Sequence, residues 1–341
     1  MNDRTTFAAG VAESGGTAPV ARPRLWRRTG RCLAGGHAIA HPGQTDPLPR
    51  VLRRGLGGLT VPVTPGPLGE LFLGPGSPRP GRTLRRLVLA PLFRRAASLG
   101  GRVFAAQRAP FHLVVEITGT CRDAEALLLA YRLLDQQLRD HAPLVSRCES
   151  GTLTAGAVSV TVTGIVDVRA LLAAQPLRYA FAGGCFDDVG SPTAPPELVP
   201  VISEPWSRRF GWDGREPIPA EERHQLHALV RAAHEDGRTV RIAGLAGGPR
   251  RARAAVWSEL RAAGVDVIAD ADQRGLARLL RRQRVAVELP GTPPAGFRAA
   301  PDRLPADPAE PPGTLPTDPA GNRTSPRHAQ HAGTAGGPPD G

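Results

Sequence analysis

Lysine is absent from this 341-residue sequence, and all 43 basic side chains are arginine. Methionine occurs once and tyrosine twice, so the arginine excess belongs to a compositional bias of the whole chain. The formal charge of +12 therefore does not by itself identify a nucleic-acid-binding protein. The arginines are spread along the chain in pairs such as Arg53-Arg54 and Arg94-Arg95, which favours a solvated basic surface over a dedicated nucleic-acid site.

Cysteine motifs and long hydrophobic runs are also missing. The four cysteines form no C-x-x-C pair and no histidine-spaced metal pattern, so the sequence indicates neither a zinc site nor a redox motif. No run of about 18 apolar residues is present, and the N-terminus lacks the charged and then apolar pattern of a signal peptide. These absences predict reduced thiols, no transmembrane segment and a cytoplasmic protein.

Proline and glycine are abundant, at 36 and 40 residues, and much of the excess lies at the two ends of the chain. Residues 1–34 are polar, small and aperiodic, and residues 290–341 are dominated by proline, alanine, aspartate, glycine and threonine. Neither end has enough apolar surface to offset the entropy of ordering, so we predict two disordered tails. The remaining span, 35–285, has the usual size of a single barrel domain.

Strand and helix patterns alternate through this central span. Eight short apolar segments are strand candidates: 35–40, 59–63, 112–118, 157–163, 178–183, 198–203, 239–244 and 265–270. Helical periodicity covers 83–100, 122–140, 220–236, 251–264 and 273–283. Alternating βα units predict a parallel sheet, and no G-x-G-x-x-G follows the first strand. We therefore predict an α/β fold in the form of a (β/α)₈ TIM-type barrel rather than an open doubly wound sheet.

The segment 203–219, SEPWSRRFGWDGREPIP, holds two of the four tryptophans, Trp206 and Trp212. With the pieces I-P-x-E-E, A-H-x-x-G-R-x-x-R and V-W-x-x-L-x-x-A-G-V-D-x-I that follow, it resembles the altered-inheritance-of-mitochondria-six-like family of the phospholipase-C-like phosphodiesterase superfamily. The resemblance is strongest over 199–285 and degenerate over 37–184. It implies a barrel that cleaves phosphodiesters, with the tryptophan-rich segment as the connection after a late barrel strand.

The resemblance also implies two catalytic histidines, one acid and one base, and carboxylates that hold a divalent cation such as Mg²⁺ or Ca²⁺. The family opens with H-S-H-N-D, and here HAIAHPGQTDPL keeps the first histidine as His37. The second histidine, the asparagine and the aspartate correspond to Ile39, Ala40 and His41. Further family positions correspond to Thr60, Pro62, Gly74, Pro75, Gly76, Ala182, Gly183 and Gly184, none of them acidic. We therefore expect no metal cofactor.

Five residues remain as candidates for the site. His37 and His41 are the catalytic candidates, although a histidine without its partner, such as His37, is more often a relic or a packing residue, and Pro42-Gly43 favours a loop at His41. Glu116, Arg241 and Trp206 are the substrate-binding candidates. Glu116 at the end of an apolar strand has an alternative role, as the partner of Arg241 in a buried ion pair. Trp206 has the alternative of packing its own loop.

Three functions stay open at the sequence level. The missing histidine and carboxylates favour a phosphodiesterase-like barrel whose active site is degraded and whose activity is impaired or lost, with a phosphodiester or another anionic small molecule as its ligand. The alternative is an active phosphoric diester hydrolase of lipid metabolism with a rebuilt site. An arginine-rich protein that binds anions or nucleic acid without catalysis ranks third, because it rests on charge alone. No protein partner is identified.

Overall fold

The computed structural model describes residues 32–40, 46–66, 69–74, 79–118, 124–164, 168–245, 248–282 and 298–299. The chain divides into two compact units, Met1–Leu304 and Pro305–Gly341, and all described residues belong to the first. Apart from residues 32–34 and 298–299, the two predicted tails lie outside the described residues. Among the described helices, none has both the length and the apolar character needed to cross a membrane.

Eight parallel strands form the centre of the described chain. They are β1 (Leu33–Ile39), β2 (Leu56–Pro65), β4 (Phe111–Ile117), β7 (Val158–Thr163), β9 (Phe181–Ala182), β10 (Val201–Pro205), β11 (Thr239–Ala243) and β12 (Val267–Asp270). Their spatial order is β10, β11, β12, β1, β2, β4, β7, β9, so the first and the last of these eight strands along the chain, β1 and β12, pair with each other. All eight strands predicted from the sequence are present, although the predicted strand 178–183 is reduced to Phe181–Ala182 in the ring and its first residue, Arg178, belongs to a separate short strand.

A short contact just beyond β9 closes this sheet into a barrel. Gly184 forms a parallel bridge with Ile202 of β10, and the backbone N–H of Ser203 donates to the carbonyl oxygen of Gly184 at 2.9 Å. The eight strands thereby complete a ring, which confirms the predicted (β/α)₈ TIM-type fold. Because every strand runs in the same direction, their carboxyl ends meet at one mouth, where the sites of such barrels lie.

Helices follow most of the strands and cover the barrel. They are α1 (Leu48–Arg54), α2 (Ala90–Ser98), α3 (Ala124–Arg139), α4 (Val168–Ala173), α5 (Ala220–Glu235), α6 (Arg250–Ala262) and α7 (Gln273–Arg282). A π-helical turn, Arg85–Leu89, leads directly into α2. The five predicted helices are present, whereas α1 and α4 were not predicted because seven and six residues are too few for a clear helical period.

The remaining strands extend the fold away from the ring. β3 (Leu71–Leu73) pairs antiparallel with β2, while β5 (Arg147–Glu149), β6 (Thr152–Ala155), β8 (Leu177–Arg178) and β13 (Arg298–Ala299) form a separate four-stranded sheet. The hairpin between β5 and β6 turns at Ser150 and Gly151, both with positive φ, at 47° and 81°. Two such residues in a two-residue loop match the turn whose twist suits an antiparallel pair.

The barrel strands alternate between an apolar outer face and a polar inner face. In β4, Phe111, Leu113 and Val115 are buried in the main hydrophobic core. This core continues into the helical layer, for example at Leu134 and Leu138 of α3. The alternate positions of β4, beginning with His112, point into the ring, because period-2 geometry sends neighbouring side chains to opposite faces. The chemistry-bearing side chains are therefore in the interior.

Candidate functional site

Six polar side chains from six different strands converge inside the barrel. They are His37 of β1, Thr60 of β2, His112 of β4, Thr161 of β7, Ser203 of β10 and Arg241 of β11. Thr60 is the centre of this interior cluster because its hydroxyl contacts both His37 and Arg241, at 2.8 Å each. The ring of strands is the reason that residues 181 positions apart in the sequence share one hydroxyl.

His37 is completely buried at the base of the cluster. Its Nε2 contacts Thr60 Oγ1, while its Nδ1 is buried without a hydrogen-bond partner. The ring fits because position 58 is glycine: a Cβ there would collide with Nδ1 of His37 and with the carbonyl oxygen of His112. Burial, together with the charge of Arg241, lowers the pKa of His37 well below its ordinary value. His37 is therefore neutral at neutral pH.

His112 lies beside His37 and completes a histidine pair. The two ring centroids are 5.4 Å apart in an edge-to-face arrangement, and His112 Nε2 contacts Thr161 Oγ1 at 2.9 Å. Burial and the charge of Arg241 lower the pKa of His112 to about 3. Both imidazoles are thus uncharged at neutral pH. In the family that the motifs resemble, the second histidine occupies the position that is Ile39 in this chain. Here the histidine beside His37 is instead His112, from a different strand.

Arg241 is the only charged side chain among the six described members of the interior cluster. It is 5% exposed, and it donates to Ser203 Oγ at 2.6 Å and to Thr60 Oγ1 at 2.8 Å, while its Nε is buried without a partner. Burial lowers its pKa to about 10, and the negative charge of Glu116 opposes that shift. The guanidinium therefore stays protonated at neutral pH and holds a buried positive charge.

Glu116 is close enough to act on Arg241 electrostatically, but the two form no ion pair. Glu116 is solvent-exposed, two residues beyond Val114 on the inward face of β4 and one residue before the strand ends. The alternative of a buried Glu116–Arg241 ion pair is therefore wrong, because one partner remains in water. Glu116 instead places a carboxylate at the mouth, above a buried cation.

The two other sequence candidates are not in this cluster. His41 lies outside the described residues. Trp206 is 2% exposed and stacks on Phe210 at 4.2 Å, and its Nε1 donates to the carbonyl oxygen of Trp212 at 2.8 Å. This packing uses the single polar atom of the indole and leaves nothing with which to bond a substrate. The structure thus gives Trp206 its alternative role, as a packing residue of its loop.

The donors of the interior cluster do not suit a hard divalent cation. Such a cation requires several converging oxygen ligands, usually carboxylates, whereas the cluster holds a guanidinium, and Glu116, the carboxylate that acts on this guanidinium, is solvent-exposed. One group elsewhere in the described chain, Cys185, Asp187 and Glu204, has the spacing of a metal site. Its carboxylates are already bonded to Arg208 and Arg209, at 2.6–3.2 Å, so it is an ion-pair network.

The sequence candidates did not include four members of the cluster: Thr60, His112, Thr161 and Ser203. Thr60 appeared only as an inherited position without a carboxylate. The signal for His112 was present in the strand alternation, because His112, Val114 and the candidate Glu116 occupy every second position of one apolar strand. The same alternation places Thr161 between Ser159 and Thr163 on one face of β7.

Comparisons with known proteins add a fold-level similarity. No family model matches this chain, and no curated protein matches it. Among solved structures, a phosphatidylinositol-specific phospholipase C from Listeria monocytogenes matches with a TM-score of 0.40 and 10% sequence identity, over 75% of this chain and 96% of that one. Similarity at this level does not establish a shared activity, and it does not identify the narrower family that the motifs resemble.

Proposed function

We propose that this chain is a phosphodiesterase-like barrel that binds a phosphodiester, or another small anion, beneath its mouth and has little or no hydrolytic activity. One observation carries the proposal: Arg241 is a buried cation that forms no ion pair in the described chain. A buried charge is costly unless it is compensated. An anionic oxygen entering from the mouth provides that compensation.

Arg241 has donors left for such a ligand. A guanidinium carries five N–H groups, and two of its nitrogens use one each on Ser203 and Thr60. The Nε–H and the remaining hydrogens present a fork that matches two oxygens of a phosphate. The hydroxyls hold the guanidinium in place, so little conformational entropy is lost when the anion binds.

The histidine pair is poorly suited to general acid–base catalysis. A catalytic group works best when its pKa lies near the operating pH. With a pKa of about 3, His112 is protonated in roughly one molecule in 10⁴ at pH 7, and in its neutral form it is a weak base. His37 is shifted in the same direction. Loss of either partner in a cooperative set removes most of the rate, so a mistuned pair supports little turnover.

The first experiment measures binding and turnover of the same ligand, bis(p-nitrophenyl) phosphate. We expect saturable binding by calorimetry and no turnover above that of a heat-denatured sample, with the same absence for glycerophosphodiesters and phosphatidylinositol. Arg241→Met should weaken binding at least about tenfold, since a charged hydrogen-bond donor is lost, and Arg241→Lys should recover part of the loss. Folding of each variant is checked by circular dichroism. Wild-type binding that Arg241→Met leaves unchanged would contradict the proposal.

The rebuilt-site alternative is favoured by the contact between His37 and His112 and by the carboxylate at the mouth. Glu116→Gln separates the two functions by the direction of its effect. In a binding barrel it removes a negative charge near Arg241 and should strengthen anion binding. In an active hydrolase with a rebuilt site, Glu116→Gln and His37→Ala should each abolish turnover.

Metal binding also separates the two functions. Calorimetric titration with Mg²⁺, Ca²⁺ and Mn²⁺ is the measurement. Saturable binding of one of these cations, with a raised melting temperature, would favour the hydrolase.

A further inference from the structure

A cleft lined only by arginines lies on the helical layer of the barrel. Its volume is about 480 Å³, and its lining residues are Arg50, Arg53, Arg54 and Arg274. A second cleft of about 320 Å³ shares Arg54 and Arg274 and adds Arg250, Arg278, Arg281, Ala277 and Asp272. We call the two together the arginine cleft. Its residues come from α1, α7 and the first residue of α6, apart from Asp272, which directly precedes α7.

The fold, and not the sequence, gathers these arginines. Helices α1 and α7 are more than 200 residues apart in the chain, but they follow β1 and β12, which pair with each other in the ring. Arg54 Nη1 donates to Gln273 Oε1 at 2.8 Å, and Arg281 Nη2 donates to the carbonyl oxygen of Arg54 at 3.0 Å. These two hydrogen bonds hold the facing helices together.

Helical spacing then aligns the arginines of α7 along one exposed face. Arg274, Arg278 and Arg281 are exposed, whereas Leu276 and Leu280 are buried against the barrel. Positions i, i+4 and i+7 lie on the same side of a helix, so the backbone positions of these arginines are about 6 Å and then about 4.5 Å apart along its axis. The three side chains therefore leave the helix on one face.

Within the described chain, the positive charge of the arginine cleft is offset only in part, by the nearby carboxylates of Asp46 and Asp272. Arg50, Arg53 and Arg274 take part in no ion pair or side-chain hydrogen bond there. Asp272 accepts from the N–H of Gly275 at 2.9 Å and from Arg253 at 3.3 Å, so its carboxylate is already engaged.

The pKa of Arg54 reflects both its burial and the arginines around it. Burial, and after it the positive charges of Arg274, Arg50 and Arg53, lower the pKa of Arg54, and the charge of Asp272 opposes that shift. One other carboxylate, that of Asp46, lies near Arg53 and Arg50 but forms no ion pair with them. The cleft therefore combines a surplus of positive charge with a concave shape.

We propose that the arginine cleft binds a compact soluble polyanion that carries two or more clustered phosphate groups. Guanidinium groups bond phosphate oxygens in pairs, and the volume falls within the range of small-molecule sites. No aromatic side chain lines either cleft, so there is no surface on which a nucleobase would stack. The concave shape fits a compact ligand better than a flat membrane.

This site is separate from the barrel interior, because it shares no residue with the cluster around Arg241. The two proposals therefore fail independently. A change at Arg274 tests the arginine cleft and leaves the interior donors in place, and a change at Arg241 does the reverse.

The test titrates inorganic tripolyphosphate into the full chain at constant ionic strength. We expect saturable 1:1 binding, a higher melting temperature with ligand than without, and weaker binding of inorganic phosphate. Arg50→Gln/Arg274→Gln should reduce the tripolyphosphate affinity at least about tenfold. Its melting temperature without ligand should not fall, because the substitutions relieve like-charge repulsion. The matched control is Arg102→Gln/Arg132→Gln, which removes two exposed arginines elsewhere and should leave the affinity within about twofold.

Three results would overturn the proposal. The first is the absence of saturable tripolyphosphate binding by the wild-type chain. The second is an equal loss in the two double variants, which indicates a response to net charge only. The third is tighter binding of duplex DNA, or of anionic phosphatidylserine vesicles, than of tripolyphosphate at the same ionic strength, with loss of that binding in Arg50→Gln/Arg274→Gln. If the double variant does not fold, the single variants Arg50→Gln and Arg274→Gln are compared with Arg102→Gln.

Discussion

The two histidines of the interior show how environment decides the chemistry of a side chain. Imidazole ordinarily titrates near neutral pH, which makes it a common acid–base catalyst. Here His37 and His112 contact threonine hydroxyls, lie edge to face, and share the interior with Arg241. Burial and that neighbouring cation both disfavour the imidazolium. The retained histidine is therefore a neutral hydrogen-bonding group at neutral pH.

The lowered pKa predicts a specific pH dependence of stability. In the unfolded chain His112 is protonated below about pH 6.5, whereas in the folded chain it is protonated only below about pH 3. Between these values the unfolded state binds more protons, so the unfolding free energy falls as the pH falls. For one histidine this loss of stability reaches about 1.4 kcal/mol per pH unit. His112→Gln should flatten the fall in the unfolding free energy, measured with urea, from pH 6 to pH 4. The control His224→Gln, on the exposed side of α5, should follow the wild-type curve.

A second measurement, of the two histidine pKa values, tests the role of Arg241. Because its charge contributes to the lowered pKa of both histidines, Arg241→Met should move both pKa values upward, which ¹H–¹⁵N NMR of the imidazoles detects. Two results together would contradict the described interior. One is an unfolding free energy that falls equally steeply with pH in the wild type and in His112→Gln, and the other is unchanged histidine pKa values in Arg241→Met.

At the scale of elements, the tryptophan-rich segment after β10 is a self-packed loop. Trp206 stacks on Phe210 and meets Trp212 edge to face, with centroids 6.4 Å apart. Trp212 Nε1 donates to the carbonyl oxygen of Glu216 at 2.7 Å, and the N–H of Trp212 donates to Glu222 Oε2 at 3.1 Å. These bonds fasten the loop to the first turn of α5, which explains why aromatic residues concentrate in an aperiodic segment.

Trp206→Phe tests this packing role. The substitution removes the donor to the buried carbonyl oxygen of Trp212, and an unsatisfied buried acceptor costs about 1–3 kcal/mol. We expect a lower unfolding free energy by chemical denaturation and unchanged affinity for bis(p-nitrophenyl) phosphate. Unchanged stability with weakened binding would return Trp206 to the role of a substrate-binding residue.

At the scale of the molecule, the ring leads us to expect that the barrel folds as one unit. β1 pairs with β12, and the ring closes between Gly184 and Ile202, so no cut between two strands leaves a complete sheet. Limited proteolysis should yield one resistant core of roughly residues 35–285, identified by mass spectrometry. Two separately stable fragments would show that this span is not a single domain.

Local patterns in the sequence were sufficient for the fold. Apolar runs of strand length that alternate with helical periods identified all eight barrel strands and five of the helices. Each strand carries its own apolar run because a parallel sheet is buried on both faces, so each strand can be recognised without knowledge of its neighbours. The short helices α1 and α4 were missed for the same reason, since one or two turns carry too little periodicity. His37 and Arg241 were identified from the motif resemblance, and they share the hydroxyl of Thr60.

What only the tertiary structure decided is which distant residues meet. No local pattern brings His112 beside His37, or joins Arg241 to Thr60 across the ring, because these contacts depend on strand order and register. The arginines illustrate the same limit: in the sequence they form scattered pairs, and the pairing of β1 with β12 collects those of α1 and α7 into one cleft. Composition determined that the chain is rich in positive charge, and the pairing of β1 with β12 determined where these arginines meet, because it sets the helices that follow the two strands side by side.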